Sequence, residues 1–179
     1  MKTMFKRKDF YWNDCKKKVI IAKNIYRTLG SDLFTDQICQ SLLQMKVLEK
    51  DLAEQMKLVN FAQFCRQCAA KEGGGCCSVF MADENEALQL LMNLMAGVAV
   101  DICREDGKEC YFLAEKGCIL VYKPMFCLNY DCTTIKNCDS QIAFSRYESS
   151  CGNLLQEQWR LEQLLLARLQ DLGQLQEAV

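Results

Sequence analysis

The sequence predicts a mostly α-helical protein, a helical bundle with a cysteine-rich subdomain that contains a small β-hairpin. Two observations favour helices: there is one proline in 179 residues, and apolar residues recur every three or four positions near both ends of the chain. A third sets the middle of the chain apart, because most of its cysteines and glycines lie there. The length suits one compact domain with a substantial core.

The N-terminal part is predicted to form two helices folded back on each other. Apolar positions within 15–29 recur at helical spacing, and Gly30 suits a C-terminal cap. Ser31 or Asp32 is then expected to cap a second helix, because short polar side chains accept hydrogen bonds from the first turn. Its apolar stripe occupies 38–59.

The middle of the chain is predicted to contain one short helix and one hairpin. Asp83 and Glu86 have the spacing of a capping box ahead of an apolar run. Farther on, 109–113 and 118–122 resemble two strands. Gly117 precedes the second strand, and glycine readily adopts the backbone conformation of a tight turn.

A long C-terminal helix is predicted from Asn153, a possible N-cap with Gln156 three residues later. Its broad apolar stripe is expected to pack on the helix in 32–60, with dimerisation as the alternative. The resulting division of one compact domain is 1–61 for the N-terminal helices, 62–140 for the cysteine-cluster region and 141–179 for the C-terminal helix.

Composition and charge predict a cytoplasmic protein without a membrane span. No apolar stretch approaches the roughly 20 residues that cross a bilayer, and the N-terminal residues have no secretory h-region. A basic, aromatic stretch within 2–23 could touch an anionic partner, but a formal net charge of −1 makes nucleic acid an improbable target. A protein partner is open, and the oligomeric state is not predicted.

The cysteines carry the main functional signal. The chain has 13, of which nine lie in the 68 residues from Cys65 to Cys132, and it has no histidine. In a reducing compartment such density indicates metal ligation or redox chemistry rather than disulfides. The absence of histidine excludes Cys/His zinc sites and histidine-based catalysis, so a soft-metal site here must be all thiolate, or thiolate with a carboxylate or water.

The spacing of these cysteines predicts two groups of four ligands. A short Cys-x2-Cys loop delivers two thiolates to one ion at little cost in chain entropy. Glycines in 73–75 let the backbone approach sulfur closely. The predicted metal ligands are Cys65, Cys68, Cys76, Cys77, Cys110, Cys118, Cys127 and Cys132.

Several of these motifs resemble the YkgJ-type cysteine-cluster family, described as a zinc- or iron-chelating domain. The family's Cys-x2-Cys and Cys-Cys pairs correspond to Cys65-Arg66-Gln67-Cys68 and Cys76-Cys77. Its later elements correspond to Cys110-Tyr111-Phe112-Leu113, Gly117-Cys118-Ile119-Leu120 and Lys123-Pro124-Met125-Phe126-Cys127. The resemblance covers about residues 62–135.

The chain departs from the family pattern at two places. The gap between Cys68 and Cys76 is longer than usual, and Lys123 replaces the usual arginine, which loses bidentate hydrogen bonding. The resemblance implies a bound metal. It also implies an alternative function, since a related cysteine cluster is associated with a flagellin lysine N-methylase.

The identity of the metal and its role stay open at this point. All-cysteine ligation suits an iron–sulfur cluster, with 4Fe-4S favoured, or zinc. Copper(I) storage would place cysteines at helical spacing, whereas here they lie in loops. The functions to weigh are electron transfer, redox sensing or partner docking first, a metal-dependent enzyme second, and metal storage or delivery third.

The remaining cysteines are predicted to serve differently. Cys15, Cys39 and Cys151 lie in predicted helices and are expected to be small buried apolar residues. Cys103 and Cys138 could be either ligands or core residues.

Overall fold

The computed structural model describes residues 4–69, 75–115, 117–128, 133–136 and 140–176. It confirms a mostly helical fold with a small antiparallel hairpin. The helices are α1 (Arg7–Tyr11), α2 (Cys15–Leu29), α3 (Asp36–Leu58), α4 (Phe61–Ala69), α5 (Val79–Asp83), α6 (Ala87–Met95), α7 (Met125–Leu128), α8 (Thr133–Lys136) and α9 (Gln141–Asp171). The strands are β1 (Phe5–Lys6), β2 (Leu113–Ala114), β3 (Gly117–Cys118) and β4 (Leu175–Gln176).

The boundary between α2 and α3 differs from the prediction in one respect. Gly30 ends α2 with a φ of +46°, a left-handed conformation that glycine adopts without a Cβ clash. Ser31 and Asp32 then form a short 3-10 turn rather than a cap. Thr35 caps α3 instead, since its hydroxyl oxygen accepts a hydrogen bond of 3.3 Å from the Ile38 backbone N–H.

Two helix pairs build the core. α3 packs chiefly against α9, and α2 packs chiefly against α6. The prediction that the two N-terminal helices fold back on each other was therefore wrong. Polar contacts accompany the α3–α9 pair: the Ser41 hydroxyl donates a hydrogen bond of 2.5 Å to Glu157, and the Ser150 hydroxyl donates one to Asp51.

Helix α9 begins well before the predicted N-cap at Asn153. Its N-cap is Ser140, whose hydroxyl accepts a hydrogen bond of 3.2 Å from the Ala143 N–H. Phe144 and Tyr147 are buried and extend the apolar stripe toward the N-terminus. Burial along this face outweighs the weak helix propensity of Gly152 and Asn153.

Helix α6 is central, because eight of its nine residues are buried. The predicted capping box ahead of it was wrong: Glu86 occupies the N-cap without a side-chain cap bond. Asp83 ends α5 and accepts a hydrogen bond of 2.8 Å from the Cys15 backbone N–H, so it caps α2 from a distance. Within the described ranges, no helix is long and apolar enough to cross a membrane.

The first and last strands tie the ends of the described chain together. β1 pairs in parallel with β4, with Phe5 opposite Leu175 and Lys6 opposite Gln176. The Phe5 N–H donates a hydrogen bond of 2.7 Å to the Gln174 carbonyl. Phe5 is buried and lies 6.0 Å, between ring centroids, from the fully buried Phe10.

Two carboxylates lie near each other where α6 meets α9. Burial raises the pKa of Glu86 to about 7, and the charge of Glu162 raises it further, while Lys18 opposes the shift. Glu162 also accepts a hydrogen bond from the Tyr11 hydroxyl. A carboxyl whose pKa is raised by folding favours the folded state in acid and opposes it once ionised.

We expect Glu86→Gln to stabilise the protein at pH 8 but not at pH 4. The Glu86 contribution to stability is fully present below its ordinary pKa of 4.5 and is lost as pH rises through about 7. The variant removes that loss, which we put at about 1 kcal/mol because the carboxyl is partly solvated. Urea unfolding at both pH values measures it. Glu148→Gln, at an exposed position of α9, is the matched control, and equal stabilisation at pH 4 would contradict the assignment.

Candidate metal-binding site

Backbone hydrogen bonds bring the two predicted cysteine groups together. The Cys110 N–H donates a hydrogen bond of 2.9 Å to the Cys77 carbonyl, and the Val79 N–H donates one of 2.9 Å to the Lys108 carbonyl. Ser78 and Glu109 form an antiparallel bridge between these bonds. Cys76 and Cys77, from the first group, thus lie beside Cys110, from the second.

The hairpin then places Cys118 next to this junction. Leu113 in β2 pairs with Cys118 in β3, and the Ile119 N–H donates a hydrogen bond of 2.9 Å to the Phe112 carbonyl. Gly117 adopts a φ of +117°, which a residue with a Cβ rarely does. The pairing is shorter than predicted, since only two residues per strand form it.

A buried asparagine holds the segment that leads from Cys118 to Cys127. The Asn93 Oδ1 atom accepts hydrogen bonds from the N–H groups of Val121 (3.0 Å) and Tyr122 (3.1 Å). Its Nδ2 atom donates to the Tyr122 carbonyl at 2.8 Å. Beyond Pro124 the chain enters α7, where Cys127 is partly buried. Sequence reasoning missed Asn93, although a polar residue inside an apolar helix was the available signal.

The thiols of Cys76 and Cys77 are adjacent, and a hydrogen bond between them shifts their pKa values in opposite directions. A hydrogen bond from Cys77 lowers the pKa of Cys76 to about 6, since it stabilises the thiolate. The same bond, together with burial, raises the pKa of Cys77. The hydrogen bond therefore favours the thiolate form of Cys76, the form that attacks electrophiles and binds metals.

The other central thiols are protonated because the protein desolvates them. Burial raises the pKa of Cys127 to about 12, with further contributions from the charges of Cys118 and Cys110. Burial likewise raises the pKa values of Cys110 and Cys118. A thiol that is costly to ionise when alone becomes an effective ligand once a cation replaces its proton.

The side chains that the structure describes do not form a complete metal-coordination site. Among the residues that it describes, no three Cys, Asp or Glu side chains are grouped closely enough to hold a metal ion. Of the predicted ligands, Cys65 lies on α4 and packs against the core. Cys68 lies on the same helix, with its side chain outside the described part, and Cys132 lies outside the described residues, as does Cys138.

Cysteines that were not predicted as ligands divide into two kinds. Cys15 and Cys151 are fully buried, as predicted. Burial raises the pKa of Cys15 to about 12, which makes it a poor nucleophile. Cys39 is exposed, so the prediction that it is buried was wrong. Cys103 is exposed, and its charge affects the pKa values of Cys110 and Cys118, which places it near the cluster.

Comparison with known proteins identifies no relative. No family model matches the chain, and no curated protein or solved structure is significantly similar to it. The resemblance to YkgJ-type proteins therefore stays a prediction from the motifs quoted above.

Proposed function

We propose that this protein binds a metal through the cysteine cluster formed by Cys76, Cys77, Cys110, Cys118 and Cys127. The observation that carries the proposal is geometric: the Cys110 N–H bonds the Cys77 carbonyl, and the β2–β3 pairing adds Cys118 to the same junction. The charges of Cys118 and Cys110 also contribute to the raised pKa of Cys127, in keeping with a common neighbourhood for these thiols. Cys65, Cys68 and Cys132 would complete the ligand set.

The donor chemistry fits a soft metal. Every candidate donor is sulfur, the chain has no histidine, and Cys76 already favours the thiolate form. Such a set suits an iron–sulfur cluster, with 4Fe-4S favoured, or tetrahedral zinc. An iron–sulfur cluster would supply one-electron redox chemistry, whereas zinc would act structurally. Because the described thiols are near one another but not in a cage, binding would be coupled to closure of the loops that bear them.

Electron transfer, redox sensing or partner docking is the function that this site supports best, in a cytoplasmic protein. Cys76, Cys77 and Cys118 keep part of their surface accessible to solvent although their thiols are partly desolvated, which leaves the cluster within reach of a redox partner. A metal-dependent enzyme related to cysteine-cluster lysine N-methylases is the second candidate, and metal storage or delivery is the third. Metal-dependent binding of S-adenosylmethionine would favour the enzyme. Metal exchange without loss of helix content would favour storage.

Metal analysis after anaerobic purification tests the proposal. We expect either iron with matching acid-labile sulfide and a broad visible absorption, or stoichiometric zinc in a colourless protein. Cys77→Ser and Cys118→Ser should each reduce metal content by about half or more, because a lost thiolate opens the coordination shell. Cys39→Ser, which changes an exposed thiol on α3, is the matched control. Full helicity with neither iron nor zinc bound would refute the proposal.

A further inference from the structure

Cys77 and Cys110 lie opposite each other beside an antiparallel bridge. The Cys110 N–H donates a hydrogen bond of 2.9 Å to the Cys77 carbonyl. On the other side of the bridge between Ser78 and Glu109, the Val79 N–H donates a second bond of 2.9 Å to the opposite chain. Bonds that flank a residue pair in this way are the pattern of an antiparallel ladder. Cys77 therefore faces Cys110, with about 5.5 Å between their Cα atoms.

This arrangement suits a disulfide bond. Cysteines joined by a disulfide have Cα atoms about 4.4–6.8 Å apart and Cβ atoms that point toward each other. Opposite residues of an antiparallel pair project from the same face, so the side chains of Cys77 and Cys110 are neighbours. Both cysteines are free thiols in the structure. Elsewhere in the described part of the chain, the paired strands set no two cysteines opposite each other.

The neighbouring cysteines are placed less well for this bond. Cys76 adjoins Cys77 in sequence, which fixes their Cα atoms about 3.8 Å apart, below the range of disulfides. Its carbonyl accepts a hydrogen bond of 2.8 Å from the Ser78 N–H, within a tight turn that precedes the paired residues. Cys118 lies opposite a leucine in the hairpin, and the Cys103 N–H bonds the carbonyl of a tyrosine. The geometry therefore selects Cys77 and Cys110.

We propose that Cys77 and Cys110 form a redox-active dithiol that reacts with small disulfides such as glutathione disulfide. Cys77 is exposed and Cys110 is only 8% exposed, so the first exchange takes place at Cys77. Its sulfur attacks the glutathione S–S bond, which breaks, and the glutathione thiolate that leaves takes up the thiol proton. The Cys110 sulfur then attacks Cys77 in the mixed disulfide and releases the second glutathione in the same way. The protein loses two electrons and two protons, and one glutathione disulfide becomes two glutathione thiols.

This disulfide competes with the proposed metal. Cys77 and Cys110 are both proposed ligands, and a sulfur held in a disulfide is not available as a thiolate. Oxidation therefore removes two donors at once and releases the metal, whereas bound metal protects both thiols from oxidation. Transient, redox-sensing disulfides are the kind found in reducing compartments. This consequence rests on the proposed function, but the disulfide itself depends only on the pairing of the two chain segments.

Peptide mapping of the full chain tests the proposal. The reduced protein is incubated with excess glutathione disulfide, before and after treatment with a chelator, and the remaining thiols are blocked with N-ethylmaleimide. Trypsin and chymotrypsin then separate the segment 72–80 from the segments that carry Cys103 and Cys110. We expect one main linked product in the chelated sample, in which 72–80 is joined to the peptide of Cys110. Dithiothreitol should restore both thiols.

Single variants identify which of the two adjacent cysteines takes part. Cys77→Ser and Cys110→Ser should each reduce the linked product by about tenfold or more, because each removes one half of the bond. Cys76→Ser changes an exposed neighbour of Cys77 and is the matched control. It should alter the yield by less than about twofold, since Cys76 lies outside the paired residues.

Two results would overturn the proposal. The first is that Cys77 and Cys110 both stay free before and after chelation. The second is that the main product links other cysteines, so that Cys76→Ser abolishes it and Cys77→Ser does not. Metal content, measured on the untreated protein, separates these results from failure of the metal proposal. A chain without iron or zinc that forms this disulfide refutes only the metal site, and a metal-bound chain that never forms it refutes only the dithiol.

Discussion

Replacing Asn93 with leucine should destabilise the protein by about 3–5 kcal/mol, although leucine has the same branching and the same number of side-chain heavy atoms. Asn93 is fully buried and makes four side-chain hydrogen bonds, to the Gln89 carbonyl and to the backbone of Val121 and Tyr122. Leucine leaves the N–H groups of Val121 and Tyr122 without acceptors in the interior. Each such group costs about 1–3 kcal/mol. Chemical unfolding measures the loss.

The matched control for Asn93→Leu is Gln89→Leu on the same helix. The Gln89 amide donates one hydrogen bond, of 2.9 Å, to the Tyr122 carbonyl, which Asn93 also serves. Its removal leaves that carbonyl paired, so we expect a loss of about 1 kcal/mol. If both variants lost equal stability, the backbone contacts of Asn93 would not be the cause. Asn93→Leu should also reduce metal content, because the 118–127 segment would lose three of its hydrogen bonds to α6.

Phe112→Ala should cost about 3–5 kcal/mol, the usual range for removing a buried phenylalanine. Phe112 has no exposed surface and lies between Cys110 and the β2 strand. The ring joins the cysteine region to the main core, so its loss opens a cavity under the predicted ligands. Thermal unfolding followed by circular dichroism measures the change in stability, and hydrogen exchange shows whether the hairpin opens first.

Tyr111→Ala is the neighbouring control for Phe112→Ala. Tyr111 is only partly buried, and the Lys16 ammonium lies 5.4 Å from its ring centroid, an interaction worth about 0.5–1 kcal/mol at the surface. We therefore expect a loss of about 1 kcal/mol. If Phe112→Ala were as mild as Tyr111→Ala, the cysteine region would not share the core of the helical bundle.

Local patterns predicted the helices and the hairpin because both depend on neighbours in sequence. The stripe in 38–59 became α3, and Gly117 became the first residue of β3. Caps and partners were harder to predict. Asp83 bonds the distant Cys15 N–H instead of capping α6, and α2 packs on α6 instead of α3. Tertiary packing decides which helix a side chain caps and which helices pair. A stretch of about a dozen residues in the sequence carries no information about these long-range contacts.

The candidate site was predictable in its chemistry but not in its assembly. Spacing singled out Cys76 and Cys110 as ligands because thiol density in a chain without histidine indicates soft-metal binding. Their proximity depends on the bridge between Ser78 and Glu109, two residues that α5 and α6 separate in the sequence. No repeating pattern in the sequence around Ser78 or Glu109 indicates that these two residues pair, so the bridge could not be predicted.

The pairing of β1 with β4 imposes an order on biosynthesis. The Phe5 segment leaves the ribosome well before its partner Leu175, which is available only after the chain between them has been made. Until then the buried face of Phe5 and the neighbouring Phe10 lack part of their cover. A nascent chain therefore exposes an aromatic surface that chaperones can bind, and folding of the N-terminal segment is completed only after translation has passed β4.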